Sequence, residues 1–116
     1  MKNKEKLRER FLRDPLPRRL GGLAATLGRI SSSARNSTDP DEIVNLLEEA
    51  GHFIEWIVPE TAPAIAAELK QMNIIIGMWK KSWVRARNIP QQRTLLAVQT
   101  KNWETMVRKF AGMISE

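Results

Sequence analysis

Chemistry in this chain would have to start from its single histidine. Glu49-Ala50-Gly51-His52 has the Glu-x-x-His spacing that sets a carboxylate and an imidazole on neighbouring positions of a helix, the unit of di-iron bundles. Such a centre needs two of these pairs and further glutamates. His52 is the one histidine present, so only a symmetric dimer, assisted by Glu48 or Glu68, could complete it. Helical angles also place His52 opposite Ile43 and Ile54, on a polar face, where plain surface residues are the simpler reading. No metal or other cofactor is expected. Ser31, Ser32 and Ser33 are potential nucleophiles, but nothing fixes an orienting acid or an oxyanion hole for them. The sequence has no Gly-x-Gly-x-x-Gly or Walker-type loop to hold phosphates, and no tyrosine. An enzyme is not expected, nor a small-molecule substrate.

Three other groups of residues are suited to binding. Trp56 sits one turn after His52, on the polar side of its segment, where a large aromatic is out of place. It reads as an exposed anchor for a partner, surrounded by acids, since Trp is favoured at binding hot spots. The alternative is that another helix of the same chain, the first or the N-terminal one, covers it, because exposed large apolar groups are rare unless clustered. Gly21, Ala25, Gly28 and Ser32 recur at spacings of four, three and four, opposite a leucine stripe. Each glycine costs a helix interior about 1 kcal/mol relative to Ala. They therefore suggest close approach of a helix, from this chain or a second copy, or a kink at Gly21-Gly22.

The third group is Trp79-Lys80-Lys81-Ser82-Trp83-Val84-Arg85-Ala86-Arg87, which mixes cations with aromatics as nucleic-acid sites do. Lys80, Lys81, Arg85 and Arg87, with the N-terminal bases, would carry sequence-nonspecific binding. Helical geometry opposes this, because Trp79 and Trp83 fall on an apolar stripe while Lys81 and Arg85 face away from it. A helix-turn-helix over residues 91–112 would need its turn near Thr100-Lys101-Asn102, which lacks glycine, and one uninterrupted helix is the simpler expectation.

The elements that would position these residues are helical, for four segments show a three-to-four-residue period and none a sustained alternation. The first follows the Asp14-Pro15-Leu16-Pro17 break and carries Leu16, Leu20, Leu23, Leu27, Ile30 and Ala34, with a loop expected in residues 31–39. The second starts at Asp39-Pro40-Asp41-Glu42, with Pro40 in its first turn, and turns Ile43, Leu46, Leu47, Ala50, Phe53, Ile54 and Ile57 inward. The third opens at Glu60 or Thr61 and presents Ile65, Leu69, Met72, Ile76, Trp79 and Trp83 as far as about Arg87. The fourth runs from about Pro90 to the end, with Leu95, Leu96, Trp103, Met106, Val107, Phe110, Met113 and Ile114 inward. The spacing predicts an all-α fold: a four-helix bundle of mostly antiparallel, up-and-down helices. Residues 1–14 are expected as a basic arm or short extra helix, and 15–116 as a single domain.

Charge is segregated along the chain. The net charge of +6 over 116 residues divides into ten Lys/Arg against three acids in residues 1–35, eight acids and no Lys/Arg in 36–68, and nine Lys/Arg against two acids in 69–116. An acidic helix between basic ones uses charge to choose its neighbours. Cysteine is absent, the N-terminal MKNKEKLRER lacks an apolar signal stretch, and the longest apolar run is Ile74-Ile75-Ile76-Gly77-Met78-Trp79. A cytoplasmic protein without a membrane span is expected.

Leu16-Pro17-Arg18-Arg19-Leu20-Gly21-Gly22-Leu23-Ala24, followed by Phe53-Ile54-Glu55-Trp56, resembles a group of small cyanobacterial proteins of unknown function. The resemblance covers most of the chain and implies a bacterial origin but no activity. The leading expectation is a non-enzymatic protein-interaction or adaptor module, possessing an unknown protein partner or pairing with itself. Trp56 with His52 would form one surface, and Gly21, Ala25 and Gly28 another. Nucleic-acid binding through Lys80, Lys81, Arg85 and Arg87 is the alternative.

Overall fold

The computed structural model describes residues 2–39 and 41–114. Among these there are five α-helices and no strand: α1 (Lys2–Arg13), α2 (Leu16–Asn36), α3 (Glu42–Ile57), α4 (Pro63–Ala86) and α5 (Pro90–Ile114). A single 3-10 turn, Val58–Glu60, follows α3. The all-α expectation holds, and the basic N-terminus takes the short-helix option, so the helices number five. Pro40, expected in the first turn of α3, lies outside the described residues.

Prolines set most of the boundaries. Pro15 is extended (φ −64°, ψ 156°) immediately before α2, and Pro63 and Pro90 open α4 and α5, where a missing N–H removes no helical bond. α4 starts later than Glu60 or Thr61, because residues 58–60 wind as the 3-10 turn and Thr61 is extended (φ −115°, ψ 162°). α2 continues to Asn36, through serines expected in a loop. Local hydroxyl chemistry normally pulls serine out of helices. Here tertiary partners take two of the hydroxyls: Ser31 Oγ donates to the Ala97 carbonyl at 2.7 Å, and Ser33 Oγ donates to the Glu42 carboxylate.

α2 lies between α3 and α5, and α5 is its most extensive neighbour. Thr26 meets Glu49 and Ser33 meets Glu42 on α3, while Ser31 meets Ala97 and Ala34 meets Arg93 on α5. Rising numbers on α2 thus face falling numbers on both neighbours, so both pairs are antiparallel. Leu20, Leu23, Leu27 and Ile30 are fully buried. Each contributes about 1.5–3 kcal/mol relative to exposure. Ala24, Ala97 and Thr100 are also fully buried, and these short side chains keep the two backbones near enough for the Ser31–Ala97 bond. α3 packs on α4 as well, whereas α4 and α5 touch only sparsely.

Two arginines fasten the ends. Arg93 donates to the carbonyls of Ser33, Ala34, Ser37 and Arg87, joining α5 to the C-terminal ends of α2 and α4, where the helix dipole favours a cation. Its guanidinium also lies 5.4 Å over the Trp83 ring. Arg19 is buried and holds Glu60 through two bonds of 2.8 and 2.9 Å, while its Nε donates to the Asp14 carbonyl. These bonds hold the Glu60 carboxyl below the usual carboxylate range.

Candidate functional site: an apolar groove between α4 and α5

Trp56 is 8% exposed and therefore no free anchor. The N-terminal helix covers it, as the alternative reading had it. Phe11 of α1 stacks on Phe53 with centroids 4.2 Å apart and planes within 4°, and its ring lies 5.8 Å from that of Trp56. Helical angles were misleading here because they count the long helices and miss what a short fifth one can shield. His52 stacks on the outer side of Trp56 at 5.6 Å, half-buried, with Nδ1 3.9 Å from the Glu55 carboxylate. Glu49 points elsewhere, accepting from Thr26 Oγ1 at 2.7 Å and Arg29 at 3.3 Å. Among the described residues no group of three or more His, Cys, Asp or Glu is placed to hold a metal ion.

The stripe of small residues on α2 also divides. Ala25 and Ser32 are exposed, and a Cβ added at Gly21 would meet nothing within 4 Å, so among the described residues no other helix approaches there. Gly28 alone faces another helix, with the Glu104 carboxylate of α5 3.1 Å from where its Cβ would stand. The close approach expected of this stripe happens one step round the helix, at Ala24 and Ser31, because that edge continues the leucine face.

The largest unsatisfied apolar surface lies on the other half of the molecule. Ile74, Met78 and Val84 of α4, Ile89 of the connection, and Leu95, Val98 and Met113 of α5 are the exposed large hydrophobic residues among those described. Not one belongs to α1, α2 or α3. Met78 is 64% exposed, Ile74 61% and Leu95 53%, which corrects the expectation that Leu95 and Met113 point inward. Because α4 and α5 barely touch, Ile75, Met78 and Ser82 stand across an open groove of about 280 Å³ from Gln92, Leu95 and Gln99. Trp79 forms its floor and donates from Nε1 to Gln99 Oε1 at 2.7 Å, so the indole is pinned at its one polar atom.

Cations frame this groove. Lys70, Ile74, Met78, Lys81 and Arg85 are all exposed and recur at spacings of four, four, three and four, one outward stripe with an apolar centre and basic ends. Lys81, Ser82, Val84 and Arg85 line a second hollow that shares Ser82 with the first. On α5, Leu95, Val98, Asn102, Lys109 and Met113 are exposed along the facing side. From Leu69 to Ile114 the sequence holds a single acid, Glu104. That carboxylate turns to α2 and is taken up by Arg108 at 2.9 Å and Lys101 at 3.1 Å, which hold it below the usual carboxylate range. The sequence-predicted nucleic-acid residues are placed accordingly: Lys80, Lys81 and Arg85 are exposed, Arg87 is half-buried, and Trp79 and Trp83 are buried, leaving no ring free to stack on a base.

No helix among the described residues is long and apolar enough to cross a membrane. No protein-family model, curated protein or solved structure matches the chain.

The groove was missed from sequence, yet a signal existed. Six residues in a row, Ile74 to Trp79, are apolar or glycine, and at 100° per residue such a run encircles the helix. One inward face cannot bury all of it.

Proposed function

We propose that the protein is a non-enzymatic helical interaction module that receives a partner in the groove between α4 and α5. On this reading α2 to α5 form an up-and-down four-helix bundle, and α1 is a cover for its aromatic end. The observation that carries the proposal is the confinement of the exposed large hydrophobics to α4, α5 and their connection. Clustered apolar surface rimmed by polar residues marks interaction sites in soluble proteins. The test uses the chain and its Met78→Asp/Leu95→Asp variant as paired baits, with thermal melting of both. Partners held by the native chain and lost from an equally stable variant support the reading; the same partners on both baits refute it.

A second reading, sequence-nonspecific nucleic-acid binding, draws on the exposed Lys80, Lys81 and Arg85 and on Arg87. With the tryptophans buried it would rest on phosphate contacts alone. Anisotropy of labelled random-sequence DNA and RNA at about 50 and 200 mM salt tests it, since such binding collapses over that range.

A further inference from the structure

The occupant of the α4–α5 groove can be specified further, resting on the docking reading above. We infer that it is an acidic amphipathic helix of another protein, laid along the groove with its apolar stripe on Met78 and Leu95. Three observations converge on this. The groove is an elongated apolar hollow between two helices, the kind of site into which an amphipathic helix lays its apolar face. Met78, 64% exposed, lines the groove, and its unbranched thioether side chain conforms readily to an incoming surface. The surroundings are predominantly basic: Lys70, Lys81 and Arg85 of α4 are exposed, Glu104 is engaged on the far side of α5, and Glu68, toward the start of α4, is the one exposed acid among the described residues of the two helices.

The same charge disfavours a second copy as occupant. Two α4–α5 faces brought together would set two surfaces of net positive charge against each other, and like charges across an interface cost affinity. The acidic face of α3 in another copy would satisfy the charge, but it has no exposed large hydrophobic residue to enter the groove.

The experiment uses the full chain and three fluorescent peptides of about 18 residues, enough for five turns. One has leucines at i, i+3, i+4 and i+7 with glutamate on its outer faces; the second replaces glutamate with lysine; the third keeps glutamate and replaces leucine with serine. Expected is saturable binding of the first alone, at least about tenfold tighter than the second, weakened between about 50 and 200 mM salt. The Lys81→Glu/Arg85→Glu variant should lose that preference for acid, and Met78→Asp should lose binding, both with unchanged melting. Equal binding of the glutamate and lysine peptides leaves the docking face standing and overturns the acidic occupant. Binding of the serine peptide equal to the leucine one overturns the apolar anchor. Concentration-dependent dimerisation abolished by Met78→Asp, with no peptide bound, assigns the face to a second copy. Binding only to vesicles rich in phosphatidylglycerol assigns it to a lipid surface. No binding of any probe, with Met78→Asp indistinguishable from the native chain in every assay, removes the docking face itself.

Discussion

The aromatic cluster under α1 and the groove between α4 and α5 begin from similar material and end differently. Each is a place where helices expose more apolar surface than their long neighbours can cover. At the first, Phe11 closes over Phe53 and Trp56, leaving each of the three below a tenth exposed. At the second, Trp79 is just as deep, but Met78 and Leu95 around it remain open. The first region had a segment of its own chain, twelve residues long, within reach. The second has none among the described residues, and the surface around it is basic. An apolar anchor in acidic surroundings was the sequence expectation; the molecule instead offers an apolar groove in basic surroundings.

The comparison breaks most visibly on truncation. Trp56→Ala should lower stability by about 3–5 kcal/mol, the usual loss for a large core aromatic. Met78→Ala should change it by under about 0.5 kcal/mol, as surface changes do. Urea unfolding of the two variants checks this, and similar losses would mean that the groove is core and the contrast false. Phe11→Ala should fall between them, at about 2–4 kcal/mol. It should also shift tryptophan emission to the red by uncovering Trp56.

A smaller effect concerns the latch that holds the start of α2 to the turn after α3. The Glu60 carboxyl is held below its ordinary value by the Arg19 hydrogen bonds, so folding favours the charged form. Its contribution is therefore complete above the ordinary glutamate pKa, about 4.3, and is lost as pH falls through the lower folded value. Arg19→Ala should remove that part of the acid sensitivity, flattening the stability profile below about pH 4.3. At neutral pH it should also lower the melting temperature, because a charge-assisted pair and a bond to the Asp14 carbonyl go together. Melting curves between about pH 3 and 7 distinguish the two, and an unchanged acid limb in the variant would detach Glu60 from the latch.

Much of the fold was legible because its helices are bounded by chemistry that acts locally. Pro15, Pro63 and Pro90 mark the starts, and the inward residues Leu20, Leu23, Leu27, Leu69, Met72 and Ile76 are where a 3.6-residue period puts them. What was not legible depends on partners distant in sequence. Ser31 and Ser33 look like loop residues until Ala97 and Glu42 accept their hydroxyl protons. Trp56 looks exposed until α1 is counted as a helix. Leu95 looks buried because a periodic pattern assumes a neighbour at every apolar face, and α4 leaves this one open. Periodicity gives the direction a side chain points; it does not say whether anything stands there.

The finest distinction between packed seam and open side can be read from two glycines. Gly77 of α4 has nothing within 4 Å of an added Cβ, whereas Gly28 of α2 faces the Glu104 carboxylate at 3.1 Å. Replacement by alanine removes the glycine penalty in a helix, about 1 kcal/mol, at either position. At Gly77 that gain should appear almost whole, as a rise of about 0.5–1 kcal/mol. At Gly28 the new methyl must push the Glu104 carboxylate outward against its bonds to Lys101 and Arg108. Glu104 is the flexible end of a side chain, so the shift is possible, and the two terms should nearly cancel. A Gly28→Ala gain equal to that of Gly77→Ala would show that α2 and α5 are not tightly apposed at Glu104. A clear loss at Gly28 would show instead that Glu104 cannot move and that this seam is rigid.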